Sequence, residues 1–178
     1  GHICPALYAV LAQQKYFARE ELETFRQIDS RLEGHPHFLM NGQTIDKKTV
    51  EGIEITAGSL GHGSSQAVGL AYGLQMDNKK NHVFCLLSDA EQQEGQTWEA
   101  YMFATHHRLN NLTFIIDDNH IQISGKTQAV MSLGNLKLKL IAFGLQVLEM
   151  DAHDFVDIQK KLQQAKDNKQ HTVAIIAH

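Results

Sequence analysis

A doubly wound α/β fold, with a mostly parallel sheet and helices on both faces, is what this chain of 178 residues predicts. Three observations predict it. The apolar runs 83–87 and 112–116 carry no charge and are rich in branched side chains, like strands buried on both faces of a parallel sheet. Between them, residues 96–107 show a helical apolar pattern through Trp98, Met102 and Phe103. Helix and strand patterns then alternate to the end of the chain, the order of a parallel α/β sheet.

Residues 5–14 bring Leu7, Tyr8, Val10 and Leu11 to one side of a helix. Residues 18–28 read as a second helix, with Glu20, Glu21 and Glu23 near its start, where carboxylates suit the helix dipole. The stretch 30–51 is polar, holds Gly34, Pro36 and Gly42, and reads as a long loop of the kind that often carries function. Residues 52–56 read as a short extended segment. A glycine-rich turn, Gly58-Ser59-Leu60-Gly61-His62-Gly63, then opens a helix over 66–75 whose Ala67, Gly69, Ala71 and Gly73 allow close packing. After the strand–helix–strand unit come a helix over 132–143, a strand over 145–149, a helix over 155–165 and a last strand over 172–177.

Composition narrows the function. Hydrophobic content of 43% with 20% charged residues describes a soluble globular chain. No apolar run approaches the roughly 18–20 residues that cross a bilayer, and the first residues have no signal-peptide form. A net charge of −4 gives no reason to expect nucleic acid as a partner. Cys4 and Cys85 fit no metal-binding spacing, and Cys85 reads as a small core residue, so a reducing cytoplasm is the expected compartment.

Asp89 and Asn119 carry the chemistry. Each follows one of the two buried runs, and a right-handed crossover puts both strand ends on one edge of the sheet. Ligands bind at that edge in open α/β sheets. Hard oxygen ligands there suit Mg²⁺ shared with a phosphate. The plainer alternative makes Asp89 a cap and Asn119 a turn residue. The glycine-rich turn can offer free amides to an anion, or simply start a helix with Ser64-Ser65. Glu94 falls near the mouth of such a site, or serves the first turn of the helix after it. His2, His35 and His62 each follow a glycine and can shuttle protons or donate to an anion, or lie on the surface.

In this order the blocks resemble the N-terminal, diphosphate-binding region of transketolase. They are Gly1-His2, Phe25-Arg26, Gly34-His35-Pro36, the turn from Gly58 to Gly63, Leu87-Ser88-Asp89-Ala90-Glu91, Glu94-Gly95, Trp98-Glu99-Ala100, Leu109-Asn110-Asn111-Leu112, Asp118-Asn119, Ala142-Phe143-Gly144 and His153-Asp154. The resemblance implies one thiamine-diphosphate-binding domain over 1–178, cut short at both ends. It implies that Asp89, the Asn119 side chain and the Ile121 carbonyl hold Mg²⁺ or Ca²⁺. It also implies that His2 and the backbone at Ala90 face the diphosphate, and that Gly58 and Leu60 offer backbone contacts to the aminopyrimidine. His35 would reach a substrate hydroxyl, and Glu94 would join a carboxylate network at a subunit interface.

By the same resemblance, the activity is two-carbon ketol transfer between sugar phosphates in the pentose phosphate pathway. It needs a partner subunit carrying the pyrimidine-binding domain, within a homo-oligomer. The alternatives are a non-catalytic transketolase-like interaction subunit, or a subunit of deoxyxylulose-phosphate synthase or of a 2-oxoacid dehydrogenase E1. At several positions the chain departs from the family pattern: Ser88, Ala90 and His120 stand where glycine is usual.

Overall fold

Residues 3–178 are described here from a computed structural model. The chain forms two compact units, Gly1–Ser59 and Leu60–His178.

In the first unit, helix α1 (Cys4–Gln13) starts with Pro5, whose missing amide donor is no loss in a first turn. Its buried Cys4, Tyr8 and Leu11 pack with Phe17, Leu32, Val50 and Ile53. Burial pushes the Tyr8 phenol up to about 12, and its hydroxyl donates to the Glu33 carbonyl at 3.0 Å. The helix expected over 18–28 shrinks to a 3₁₀ stretch, Arg19–Thr24. The chain turns out of it because Arg26 and Asp29 adopt φ of 59° and 67°, while the Arg26 amide donates to the Leu32 carbonyl. The long polar stretch contains a hairpin, β1 (Met40–Asn41) and β2 (Thr44–Ile45). Arg31 joins the two ends of the stretch to the 3₁₀ turn by donating to Glu21 at 2.6 Å and to Glu51 at 2.8 Å. Residues 52–56 form no strand.

The second unit carries the sheet. Its elements are α2 (His62–Met76), β3 (Val83–Ser88), a 3₁₀ turn (Ala90–Gln93), α3 (Gly95–His106), β4 (Leu112–Asp117), β5 (Ile121–Gln122), β6 (Gly125–Lys126), α4 (Thr127–Met131), α5 (Leu136–Ala142), β7 (Gln146–Met150), α6 (Phe155–Asp167) and β8 (Val173–Ala177). Four strands run parallel in the order β3-β4-β8-β7. One face, through Cys85, Leu87, Phe114, Ile116 and Ile176, packs on Ala71, Tyr101 and Leu140 of α2, α3 and α5. The opposite face, through Ile115, Leu148, Val173 and Ile175, packs on Ile158, Leu162 and Ala165 of α6. Helices on both faces of a parallel sheet are the doubly wound arrangement expected from the sequence.

The helix expected over 132–143 begins only at Leu136. Gly134 has φ of 61°, and Asn135 caps α5 by accepting the Leu138 amide at 2.9 Å. The hairpin β5–β6 and the short α4 fill the space before it, where no apolar period announces them. Cys85 lies in the core as expected, and burial pushes its thiol up to about 12. Among the described residues no helix is long and apolar enough to cross a membrane.

Candidate metal and diphosphate site

The strand register builds the site. Ser88 of β3 pairs with Asp117 of β4, and Asp117 pairs with Ala177 of β8. Asp89 and the run Asp118-Asn119-His120 therefore leave neighbouring strands at the same edge. The Asp89 amide donates to the Asp117 carbonyl at 3.0 Å, and the Asp118 amide to the Ala177 carbonyl at 2.9 Å. These bonds extend the ladder past the last paired residues.

Asp89 is only 1% exposed. Its Oδ1 accepts the Ala90 amide at 2.7 Å and its Oδ2 accepts the Thr127 hydroxyl at 2.8 Å. A buried carboxylate needs such partners, because an unpaired one is costly. Asp118 lies beside it, with Oδ1 at 3.2 Å from His120 Nδ1 and Oδ2 at 3.5 Å from His178 Nδ1. One ligand atom from each of Asp89, Asp118 and His120 falls within 4.8 Å of the others. That separation suits ligands around one ion whose bonds run about 2.0–2.6 Å. Two carboxylates at a strand edge are the hard donors a phosphate-bound dication takes, so Asp89 and Asp118 fit the metal that the resemblance implies. A cavity of about 480 Å³ opens beside these residues, walled also by Gly134, Lys137 and Glu149. Lys137 donates to Glu149 at 2.6 Å, which holds that carboxylate below its ordinary range.

The remaining expected residues have these places. The Asn119 side chain closes a local turn: Oδ1 accepts the Ile121 amide at 2.9 Å and Nδ2 donates to Asp117 at 2.9 Å. Ile121 is exposed at the start of the β5–β6 hairpin, opposite Lys126. Ala90 opens the 3₁₀ turn and is not among the residues with positive φ, so its methyl meets no backbone strain. His120 does have positive φ, 61°. Glu94 is half-buried and precedes α3 without capping it. The Leu60 carbonyl accepts from Gln96 at 2.9 Å. In the first unit, Gly58 has φ of 140°, and a β-carbon there would fall 2.9 Å from Cγ of His35. Only glycine fits that backbone against that ring. His2 lies outside the described residues.

Ser88, Glu91, Gln92 and Thr127 take roles around the site that the sequence had not assigned to them. Glu91 and Ser88 bond reciprocally: the Glu91 amide donates to Ser88 Oγ at 3.1 Å, and the Ser88 amide to Glu91 Oε2 at 3.3 Å. The other Glu91 oxygen accepts the Gly61 amide at 2.7 Å and so ties the glycine-rich turn to the strand end. Gln92, 1% exposed, donates to the Ser88 carbonyl at 3.0 Å and accepts the Tyr101 hydroxyl at 2.6 Å. Thr127 holds Asp89. Ser-x-x-Glu was a readable capping-box signal; Thr127, 38 residues from its partner, had none.

Comparison with known proteins places the chain in a family. Residues 1–178 match the family described as "Transketolase, thiamine diphosphate binding domain". The chain is 41% identical over 166 residues to the 6-deoxy-6-sulfo-D-fructose transketolase subunit of a Clostridium species, covering 93% of this chain and 57% of that one. It is 41% identical over 158 residues to an apulose-4-phosphate transketolase subunit of Phocaeicola vulgatus, covering 89% of this chain and 53% of that one. The chain thus spans little more than half the length of these relatives. Among solved structures, transketolase from Campylobacter jejuni superposes with a TM-score of 0.76 at 33% identity, over 89% of this chain and 24% of that chain. The match runs over the whole sequence, and this chain belongs to the transketolase thiamine diphosphate binding domains.

Proposed function

We propose that this chain anchors the diphosphate of thiamine diphosphate through a divalent cation, Mg²⁺ in the first instance. With a second subunit carrying the pyrimidine-binding domain, it would support two-carbon ketol transfer between anionic sugars. The observation that carries the reading is the strand register that brings buried Asp89 beside Asp118 at the sheet edge. When bound, thiamine diphosphate supplies a nucleophilic thiazolium carbon for breaking and forming the carbon–carbon bond. Asp89 supplies a fixed negative charge for the cation. The Asn119 oxygen and the Ile121 carbonyl would complete the oxygen set. His35, exposed in the first unit, donates to a substrate hydroxyl, and Gly58 keeps its backbone close to that ring. The His2 imidazole donates to the diphosphate. Ala90 and Leu60 present backbone to the cofactor, and Glu94, whose carboxylate has no partner among the described residues, meets a carboxylate of the neighbouring subunit.

The one-domain reading of residues 1–178 belongs with this proposal, supported by a family match that runs through both units. So does the partner, since two similar relatives are named as transketolase subunits. Their names specify a sulfonated and a phosphorylated sugar, so a ketose with a terminal anionic group is the substrate class.

Calorimetry of the full chain with its partner, thiamine diphosphate and Mg²⁺ tests the reading. Saturable binding that Asp89→Asn removes while the circular dichroism spectrum stays native is the expected result. Metal-dependent binding that survives Asp89→Asn overturns the anchor. Pyruvate decarboxylation in place of two-carbon transfer overturns the reaction.

A further inference from the structure

We infer that His120 turns the metal position of this chain into a mixed nitrogen–oxygen site that prefers Mn²⁺ and later first-row dications to Mg²⁺. The inference rests on the anchor reading above and adds a ligand to it. Carboxylates alone suit Mg²⁺ and Ca²⁺, whereas imidazole is a borderline donor that favours transition ions along the order from Mn²⁺ upward. Mg²⁺ also demands a near-ideal shell of oxygens and gives up water reluctantly.

The placement of the imidazole is built into the turn. His120 Nδ1 stands 3.2 Å from Asp118 Oδ1, and Asp89, Asp118 and His120 each bring a ligand atom within 4.8 Å of the others. Thr127 ties the turn to Asp89: its amide donates to the backbone carbonyl of His120 at 3.0 Å, and its hydroxyl donates to Asp89 Oδ2 at 2.8 Å. The backbone at His120 is left-handed, φ 61°, uncommon for a residue with a side chain, so the turn directs this imidazole rather than following its preference. Asp118 faces His120 with one oxygen and His178 with the other. The His120 side chain is 74% exposed, which leaves it free to move the short distance onto an ion.

Electron spin-echo spectroscopy of Mn²⁺ added to the full chain with thiamine diphosphate, with Mg²⁺ as competitor, reads the ligand directly. Nitrogen modulation from a directly bound imidazole is expected in the unaltered protein. It should vanish in His120→Gly and in His120→Asn, both of which tolerate the left-handed turn. In both variants the Mg²⁺ needed to displace half of the Mn²⁺ should fall by at least the roughly tenfold that loss of even an outer-shell partner costs. Absent modulation, or unchanged competition in the variants, overturns the role of His120 and leaves the anchor standing. Mn²⁺ uptake that Asp89→Asn does not diminish overturns the anchor itself, and the inference with it.

Discussion

Ser88 and Glu91 hold each other by two hydrogen bonds, each donating its backbone amide to the other's side chain, at 3.3 and 3.1 Å. The pair closes the end of β3 just where the chain must turn to place Asp89. The capping box satisfies two amides that the short turn would otherwise leave open. Ser88→Ala removes one of the two bonds and should cost about 0.5–2 kcal/mol, the range for losing a cap hydroxyl. Urea unfolding measures it, and Ser88→Thr should keep most of that stability. Equal midpoints for Ser88→Ala and the unaltered chain would show that the box adds nothing.

Thr127→Val tests the support of the buried carboxylate. The change keeps the side chain's shape and removes the donor to Asp89 Oδ2. A buried acceptor left without its partner costs about 1–3 kcal/mol. Thr127→Ser, which keeps the hydroxyl, should recover most of that stability. A bound dication supplies a new partner to the same oxygen, so the loss should shrink when Mg²⁺ and thiamine diphosphate are present. Thermal unfolding of both variants with and without the ligands decides it.

Much of the second unit was legible in the sequence, for physical reasons that the first unit lacks. Strand β4 announces itself because a strand covered on both faces admits no charge; β3 is as apolar, yet only one of its faces is covered, since Phe84 and Leu86 stand exposed, and the helix between the two strands carries Trp98 and Tyr101 into the core. Their ends fix where Asp89 must lie. The helix misread over 18–28 had its acidic start, but Arg26 and Asp29 turn left-handed, and the Leu32 carbonyl takes the Arg26 amide. That bond follows from packing around Leu32, which local propensity does not see. The hairpin at Ile121 and Lys126 is two residues a side, too short for alternation to show. Ala90 stands where the resemblance expects glycine, yet in the 3₁₀ turn its φ is not positive, and the left-handed position falls to His120.

Gly58→Ala probes the loop on which His35 sits. The added methyl would meet the imidazole at 2.9 Å on a backbone with φ of 140°. A side chain in that region costs on the order of 1–3 kcal/mol, and His35 must move as well. The first unit should lose stability, and two-carbon transfer with the partner subunit should fall further than His35→Ala alone lowers it. His35→Ala combined with Gly58→Ala should remove the clash but not the backbone cost. Limited proteolysis within residues 30–59, compared across the three variants, separates these two contributions.

The last prediction concerns acid. His82 Nε2 lies 2.9 Å from Thr113 Oγ1, and its ring lies tilted by 44° against that of Phe84, centroids 4.7 Å apart. Desolvation first, then the charges of Lys169 and Lys166, hold its imidazole below the ordinary histidine value. The unfolded chain therefore takes up a proton at His82 at higher pH than the folded chain does. Where only the unfolded state binds the proton, stability rises with pH, so it must fall as pH drops. The loss begins near the unfolded value of about 6.5 and continues down to the lower folded one. His82→Gln cannot titrate, so its unfolding midpoint should depend less on pH between about 6.5 and 5 than that of the unaltered chain. Parallel curves for the two proteins across that window would mean that folding leaves the His82 proton affinity unchanged.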